Sequence, residues 1–118
     1  MQQRVIGFIP PVVGIEGEFN TFRLGQKLFN DLKENDRVFL MDEKNKIILG
    51  EATVVKTDLG TLADMCLIHG YRNHTEIGKN EIESPEWLFK TIQKIYGPHI
   101  AIPTKKTSVI YLKRIDDE

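Results

Sequence analysis

The sequence predicts a small α+β domain, in which a mixed and partly closed β-barrel carries three helices on its outside. The first observation is the order of segments, in which β-rich stretches are spread over the whole chain and helical stretches lie between them. The second is the last β-rich stretch, residues 107–115, which is apolar on both faces through its middle. Pairing this stretch with strands distant in sequence is the simplest way to bury both of its faces.

The first two β-rich stretches lie near the N-terminus. Residues 4–9 (RVIGFI) are typical of a strand, and it ends at Pro10 and Pro11 because proline lacks the N–H that a ladder needs. Residues 18–23 (EFNTFR) alternate, which predicts a short strand or an extended loop. Phe19, Thr21 and Arg23 share one face of this segment, and Asn20 and Phe22 share the other.

A short helix and a hairpin follow. Leucine and phenylalanine recur at helical spacing through residues 24–33 (LGQKLFNDLK), which predicts an amphipathic helix. Residues 37–56 contain two β-rich runs joined by the polar segment DEKNK, a pattern typical of an antiparallel hairpin. Gly50 lies inside the second run and indicates a bulge or a bend.

Two further helices precede the last strand. Residues 57–72 have a helical apolar stripe, with Thr61 and Asp64 spaced as a capping pair and Gly70 as a stop. Residues 84–96 begin with a serine cap and a proline and end before Gly97 and Pro98. The buried stripe predicted for this last helix consists of Leu88, Ile92, Ile95 and Tyr96. Between the two helices, residues 73–83 form a polar loop, long enough to suggest a function.

Composition limits what kind of protein this is. A chain of 118 residues with 41% hydrophobic residues can build one core, so we expect a single domain over residues 1–118. The single cysteine, Cys66, excludes an intramolecular disulfide and favours a cytoplasmic location. No stretch reaches the roughly 18 apolar residues that a membrane helix requires, so no membrane partner is expected. Sixteen basic and seventeen acidic side chains give no overall attraction to nucleic acid, so any such binding needs a local patch.

Cys66, His69 and His74 raise the question of a metal site. Cys66 and His69 fall on the apolar stripe of a predicted helix, and one Cys-x-x-His without a second pair is weak evidence for zinc. Packing in the core is the better explanation. We therefore predict neither a metal nor a cofactor.

Several quoted stretches together resemble a known family. TFR (residues 21–23), ENDRVFL (34–40), TIQKIYGP (91–98) and SVIYLKRI (108–115) follow one another as in the activating-signal-cointegrator homology (ASCH) domain, a branch of the PUA-like superfamily. The resemblance extends from about residue 14 to 115. It implies a small PUA-like barrel with a central cleft bordered by the segment that contains Thr21 and Arg23.

The family's motif is only partly present. Its threonine and arginine correspond to Thr21 and Arg23, but the position of its lysine is occupied by Glu18. One activity of the family, amide hydrolysis of acetylated cytidine, uses that lysine with the threonine and a later glutamate. That glutamate corresponds to Glu81 or, with a different gap, to Glu76. A carboxylate in place of an amine reverses the local charge, so hydrolysis by this route is not expected and catalysis stays uncertain.

These observations support three hypotheses. The first is a module that binds RNA or a nucleotide-like ligand, with a site formed by Glu18, Asn20, Thr21, Arg23 and Glu81. In this site the arginine would contact an anion or a base edge, and a carboxylate would accept from an exocyclic amine. The second is a hydrolase that acts on an N-acylated nucleoside through a rearranged site. The third is a protein-interaction domain, whose oligomeric state the sequence leaves open.

Overall fold

The computed structural model describes residues 4–9, 12–76 and 82–115. Its elements run in the order β-β-α-β-β-α-α-β, with a single turn of 3₁₀ helix, Gly70–Arg72, after the second helix. The strands are β1 Arg4–Phe8, β2 Glu18–Leu24, β3 Arg37–Asp42, β4 Ile47–Thr61 and β5 Lys106–Arg114. The helices are α1 Lys27–Asp31, α2 Leu62–His69 and α3 Ser84–Tyr96.

All five strands belong to one mixed sheet in the order β1-β3-β4-β5-β2. The β1–β3 pair is parallel and the other three pairs are antiparallel. The last strand, β5, lies inside the sheet between β4 and β2, as its apolar middle predicts. The sheet curls into a half-barrel whose two edge strands, β1 and β2, face each other without pairing. This confirms the predicted α+β barrel that is partly closed and carries helices outside.

The sheet has a hydrophobic cluster on each face because successive side chains of a strand point in opposite directions. The inner cluster fills the half-barrel and consists of Ile6, Phe8, Ile15, Phe19, Leu32, Val38, Leu40, Ala52, Val54, Ile110 and Leu112. The outer cluster lies between the sheet and the helices and consists of Phe22, Leu62, Met65, Cys66, Leu88, Ile92, Ala101, Val109 and Tyr111. Strands β2 and β5 therefore contribute to both clusters, and β4 contributes to the inner one and packs Val55 against the outer one.

Several predicted details are confirmed. Thr61 caps α2, because its hydroxyl oxygen accepts a hydrogen bond from the Asp64 N–H at 3.2 Å, and the helix ends at Gly70. The β3–β4 hairpin is present, and its register shifts beside the Leu40–Gly50 pair, where the glycine indicates a bulge. Among the described helices, none is long and apolar enough to cross a membrane.

Three predicted boundaries or faces are wrong. Helix α1 has only five residues, none of them buried, because Leu24 continues β2. Strand β4 extends to Thr61, where a helix was expected from residue 57, because pairing with β5 outweighs the local helical pattern. In α3, Ile95 and Tyr96 are exposed, so its buried face is restricted to Ser84, Leu88 and Ile92.

The loop that enters β2 depends on a glycine in close contact with the segment after α2. Gly14 has φ +67°, and a Cβ built on it would lie 1.8 Å from the carbonyl oxygen of His74. Gly17 has a similar φ of +61° but nothing within 4 Å of such a Cβ. A side chain at either position therefore costs backbone conformational energy, but only a side chain at Gly14 also clashes with a neighbouring segment.

We predict that Gly14→Ala lowers the free energy of unfolding by about 1–3 kcal/mol more than Gly17→Ala. Both substitutions force a left-handed conformation on alanine, at a cost of about 1–2 kcal/mol, but only the first creates a clash with backbone. Urea denaturation of both variants and the wild type measures the difference. Equal destabilisation would show that the loop and His74 do not pack as described.

Candidate functional site

The candidate site lies where the edges of the half-barrel face each other, because Arg23 of β2 reaches across to β1. Its Nη2 donates to the carbonyl oxygen of Gly7 at 2.5 Å. Its Nη1 donates to Thr21 Oγ1 at 2.6 Å and to the Phe22 carbonyl oxygen at 2.8 Å. We call this region, defined by Gly7, Phe8, Thr21, Arg23 and His74, the seam.

Aromatic rings form the base of the seam. The guanidinium carbon of Arg23 lies 5.1 Å from the centroid of the Phe8 ring, a cation–π contact. The His74 imidazole packs edge-on against Phe8 with 5.0 Å between centroids, and against Phe19 with 6.2 Å. Its Nδ1 lies 3.0 Å from the Val13 carbonyl oxygen, which can only accept, so this nitrogen carries the proton.

The electrostatics of the seam are those of a partly buried cation beside a neutral imidazole. Burial lowers the pKa of Arg23, while Tyr96 and Glu43 act in the opposite direction, and the guanidinium stays charged at neutral pH. Burial also lowers the pKa of His74 to about 4, because its effect outweighs the opposing effect of the Val13 hydrogen bond, and the charge of Arg23 lowers this pKa slightly further. The seam therefore carries a single positive charge from these two side chains.

The predicted site residues divide between the two faces of β2. Thr21 and Arg23 point into the half-barrel, and Thr21 is fully buried beneath the guanidinium. Glu18 and Asn20 belong to the opposite face, where Glu18 is exposed and Asn20 is fully buried. Glu81 lies outside the described residues. Glu76 is buried next to Thr75, whose hydroxyl donates to its Oε2 at 2.9 Å.

Asn20 takes part in a buried hydrogen-bond network on the outer face. His69 is at its centre, with Nδ1 2.8 Å from the Tyr111 hydroxyl and Nε2 2.7 Å from Asp58 Oδ2. Asn20 donates to the His69 carbonyl oxygen at 2.9 Å, and Asn73 donates to the Asn20 side-chain oxygen at 3.4 Å. These contacts give Asn20 and Tyr111 structural partners.

The pKa directions agree with this network. Burial acts to raise the pKa of Asp58, but hydrogen bonds from His69 and the Leu59 N–H outweigh it and hold the pKa below its usual range. Burial raises the pKa of Tyr111, so the phenol stays protonated. An ionised Asp58 can only accept, so Nε2 of His69 donates to it, and the Tyr111 hydroxyl lies at the other ring nitrogen, Nδ1.

Cys66 and His69 are both buried, as the core interpretation predicts. Burial raises the pKa of the Cys66 thiol to about 12, which makes it an unreactive core side chain. Among the described residues, no three His, Cys, Asp or Glu side chains come together to hold a metal ion.

The sequence assigns no ligand site to Phe8 and His74 of the seam, or to Glu43, whose carboxylate lies beside Gly7. It predicts a strand for Phe8 and a hairpin turn for Glu43, and it indicates His74 only as a metal candidate. Because Phe8 and Glu43 precede and follow Arg23 by at least fifteen residues, local spacing gives no sign that they meet it. The alternation of 4–9, which puts Phe8 on the face of Ile6, was the one available signal.

Comparison with known proteins identifies the fold. No family model matches the sequence, and no curated protein is similar enough in sequence to count as a match. Three solved structures are similar in fold, and the chain covers 97%, 88% and 92% of its own length in the three alignments. These similarities, at 9–15% sequence identity, define an ASCH-like fold.

The individual structures differ in how completely the chain spans them. Hypothetical protein PH0355 has a TM-score of 0.66 at 14% identity, and the chain spans its whole length. Protein EF3133 from Enterococcus faecalis V583, of the DUF984 family, has a TM-score of 0.57 at 9% identity, with 64% of its length covered. A mutant of ZmASCH from Zymomonas mobilis has a TM-score of 0.50 at 15% identity, with 67% of its length covered.

We predict that Arg23→Met destabilises the protein by about 2–4 kcal/mol, since hydrogen bonds from a charged group to buried acceptors are lost. Lys27→Met is the matched control, because Lys27 is exposed and only pairs with Asp31 on α1. Chemical denaturation of both variants measures the effect. A loss for Arg23→Met no larger than for Lys27→Met would show that the arginine does not hold the two edges together.

We further predict that stability falls as the pH drops from about 6.5 to about 4. His74 binds its proton more weakly in the folded than in the unfolded state, so the unfolded state gains protons first in this window. The contribution of His74 is fully present above pH 6.5. At pH 4 it has decreased by up to about 3 kcal/mol.

His74→Phe keeps an aromatic ring against Phe8 and removes the titrating group, so it should flatten this part of the pH profile. Denaturation midpoints measured at several pH values for both proteins provide the test. An unchanged slope in the variant would contradict the buried, neutral state of His74.

Proposed function

We propose that this ASCH-like module binds RNA or a nucleotide-like ligand at the seam, with Arg23 as the main contact. The observation that carries this proposal is the state of the guanidinium. Three of its five N–H groups donate within the described part of the protein, and Arg23 is still partly exposed. The Nε–H and one N–H of Nη2 therefore remain for a ligand.

These two donors suit the acceptors of a nucleotide. A guanidinium presents paired N–H groups that match a phosphate or the acceptor edge of a base, and its plane also stacks on unpaired bases. Thr21 is fully buried and contacts the guanidinium, so it positions Arg23 and does not touch the ligand. Tyr96 is exposed at the end of α3, and its charge acts on the pKa of Arg23, so we assign it to the binding surface as an aromatic side chain on which a base could stack.

The size of the ligand follows from charge. A net charge of -1 gives no long-range attraction to a polyanion, and the seam itself holds one guanidinium. Long duplexes require many phosphate contacts to bind well at physiological salt. A nucleotide or a short single strand is therefore the ligand class that this site fits.

The hydrolase alternative has less support from the same residues. An amidohydrolase of this fold needs its threonine to reach the substrate, but Thr21 is fully buried under Arg23. The nearest amine in sequence, Lys27, is exposed on α1 and paired with Asp31 at 2.7 Å. Incubation with acetylated cytidine, followed by mass spectrometry, tests this alternative directly, and turnover that Thr21→Ala abolishes would favour it over simple binding.

We predict that Arg23→Lys weakens binding of nucleotides and short single-stranded RNA by tenfold or more, because an ammonium has no second, coplanar donor. Binding is measured by calorimetry or fluorescence anisotropy at a temperature where circular dichroism shows both proteins folded. Tyr96→Ala serves as a second variant that leaves the contacts of Arg23 intact, and it should weaken base binding through lost stacking.

Lys27→Met is again the control and should bind as the wild type does. Equal affinities for the wild type, Arg23→Lys and Tyr96→Ala would remove the proposed site. Binding of none of the nucleotides or short RNAs by the wild type would remove the proposed function itself.

A further inference from the structure

A groove on the outer face of the sheet lies away from the seam. It has a volume of about 550 Å³ and is lined by Glu34, Asn35, Arg37, Thr53, Val54, Val55, Lys113, Arg114 and Ile115. Along β2, Arg23 is five residues beyond Glu18, which pairs with Lys113 of the groove. At about 3.4 Å per residue, the two sites are about 17 Å apart along the strand and on opposite faces of the sheet.

The register of the sheet lines up donors along this groove. Arg37 of β3 is directly opposite Thr53 of β4, and Thr53 is directly opposite Lys113 of β5. Residues directly opposite each other in antiparallel strands share a face, so the three side chains form a row in which a hydroxyl separates two cations. With neighbouring strands about 4.8 Å apart, the two cationic positions are about 10 Å from each other.

Two of the cations near this row have N–H groups that could donate to a ligand. The Nε of Arg37 pairs with Glu51 at 3.0 Å, and its terminal nitrogens have no partner among the described residues. Lys113 is exposed and forms no ion pair with any residue that the structure describes. Arg114 is different, because its guanidinium donates to the carbonyl oxygens of Ile15 and Leu49 and thus joins the loop before β2 to strand β4.

The surroundings of the row limit the charge that it can hold. Glu34 lines the same groove, Glu51 compensates part of the charge of Arg37, and Glu18 of β2 is directly opposite Lys113. The row therefore attracts an anion only through the short-range donors of Arg37, Lys113 and Thr53. Val55 and Ile115 supply apolar walls, which strengthen the field of the remaining cations within the groove. Such a site fits one monoanionic phosphate group better than a densely charged duplex.

We propose that the groove holds a backbone phosphate of the same RNA strand whose base or terminal phosphate occupies the seam. Lys113 and the terminal N–H groups of Arg37 contact the phosphate oxygens, and the Thr53 hydroxyl donates to a third. This inference rests on the proposed binding at the seam. It assigns the protein a second point of contact, which a mononucleotide is too short to reach and a strand of several nucleotides can span.

The test compares ligands of different length. Mononucleotides and single-stranded RNAs of about four to sixteen nucleotides are titrated against wild type, Lys113→Gln, Arg37→Gln and the control Lys90→Ala over a range of salt concentrations. Lys90 is exposed on α3 and pairs with Glu86, so it carries the same charge outside the groove. Thermal denaturation verifies that each variant is folded.

The expected result is that mononucleotide affinity is the same in all four proteins, while the longer RNAs bind the two groove variants several-fold more weakly. The slope of log affinity against log salt should decrease by about 0.7 for each lost phosphate contact. Lys90→Ala should match the wild type for every ligand.

Three other patterns would overturn the inference or the seam proposal, and they can be told apart. Longer RNAs that bind all four proteins equally, with an Arg23 effect retained, would remove the groove and keep the seam. A loss only in the groove variants, with no mononucleotide binding, would remove the seam and keep the groove. In the third pattern, inorganic phosphate binds the wild type but not Lys113→Gln and still fails to displace RNA from the protein. That result would assign the groove to a free anion and overturn the RNA assignment.

Discussion

The hydrogen bond from Arg23 to the Gly7 carbonyl oxygen spans the place where the sheet fails to close. In a complete barrel, β1 and β2 would satisfy each other's backbone groups through a ladder. Here a side chain makes that connection, and the Phe8, Phe19 and His74 rings pack together beside it. Because a side chain replaces strand pairing here, the barrel wall stays open at this place. The partly buried charge of Arg23 and the neutral imidazole of His74 follow from the same arrangement.

The same geometry shows how the chain can match the ASCH motif only in part and still adopt an ASCH-like fold. In a regular strand, residues three apart point to opposite faces, so Glu18 lies on the outer face while Thr21 lies on the inner one. Glu18 is exposed next to Lys113, where a carboxylate is well tolerated. The inner face keeps the threonine and arginine, which support each other through a 2.6 Å hydrogen bond. The fold therefore depends on the retained pair and is indifferent to the position that differs.

Sequence reasoning succeeded where the information is local. The cap at Thr61, the stop at Gly70, the hairpin around DEKNK and the central position of β5 could all be inferred from spacing and polarity. It failed where pairing with a distant strand determines the secondary structure. Residues 57–61, for example, pair with β5 although their sequence also suits a helix. The site was half predictable for the same reason. Alternation put Thr21 and Arg23 on one face, but only the curvature of the sheet brings Phe8 and His74 to them.

The pairing of strand β4 with two different strands has a consequence for how the protein unfolds. Its first half pairs with β3 and its second half with β5, and the bulge near Val55 lets consecutive valines enter different hydrophobic clusters, Val54 the inner and Val55 the outer. Neither cluster can lose its packing without releasing a strand that the other requires. The half-barrel and its layer of helices are thus joined as one cooperative unit, so we expect the most slowly exchanging amide protons in the middle of this strand.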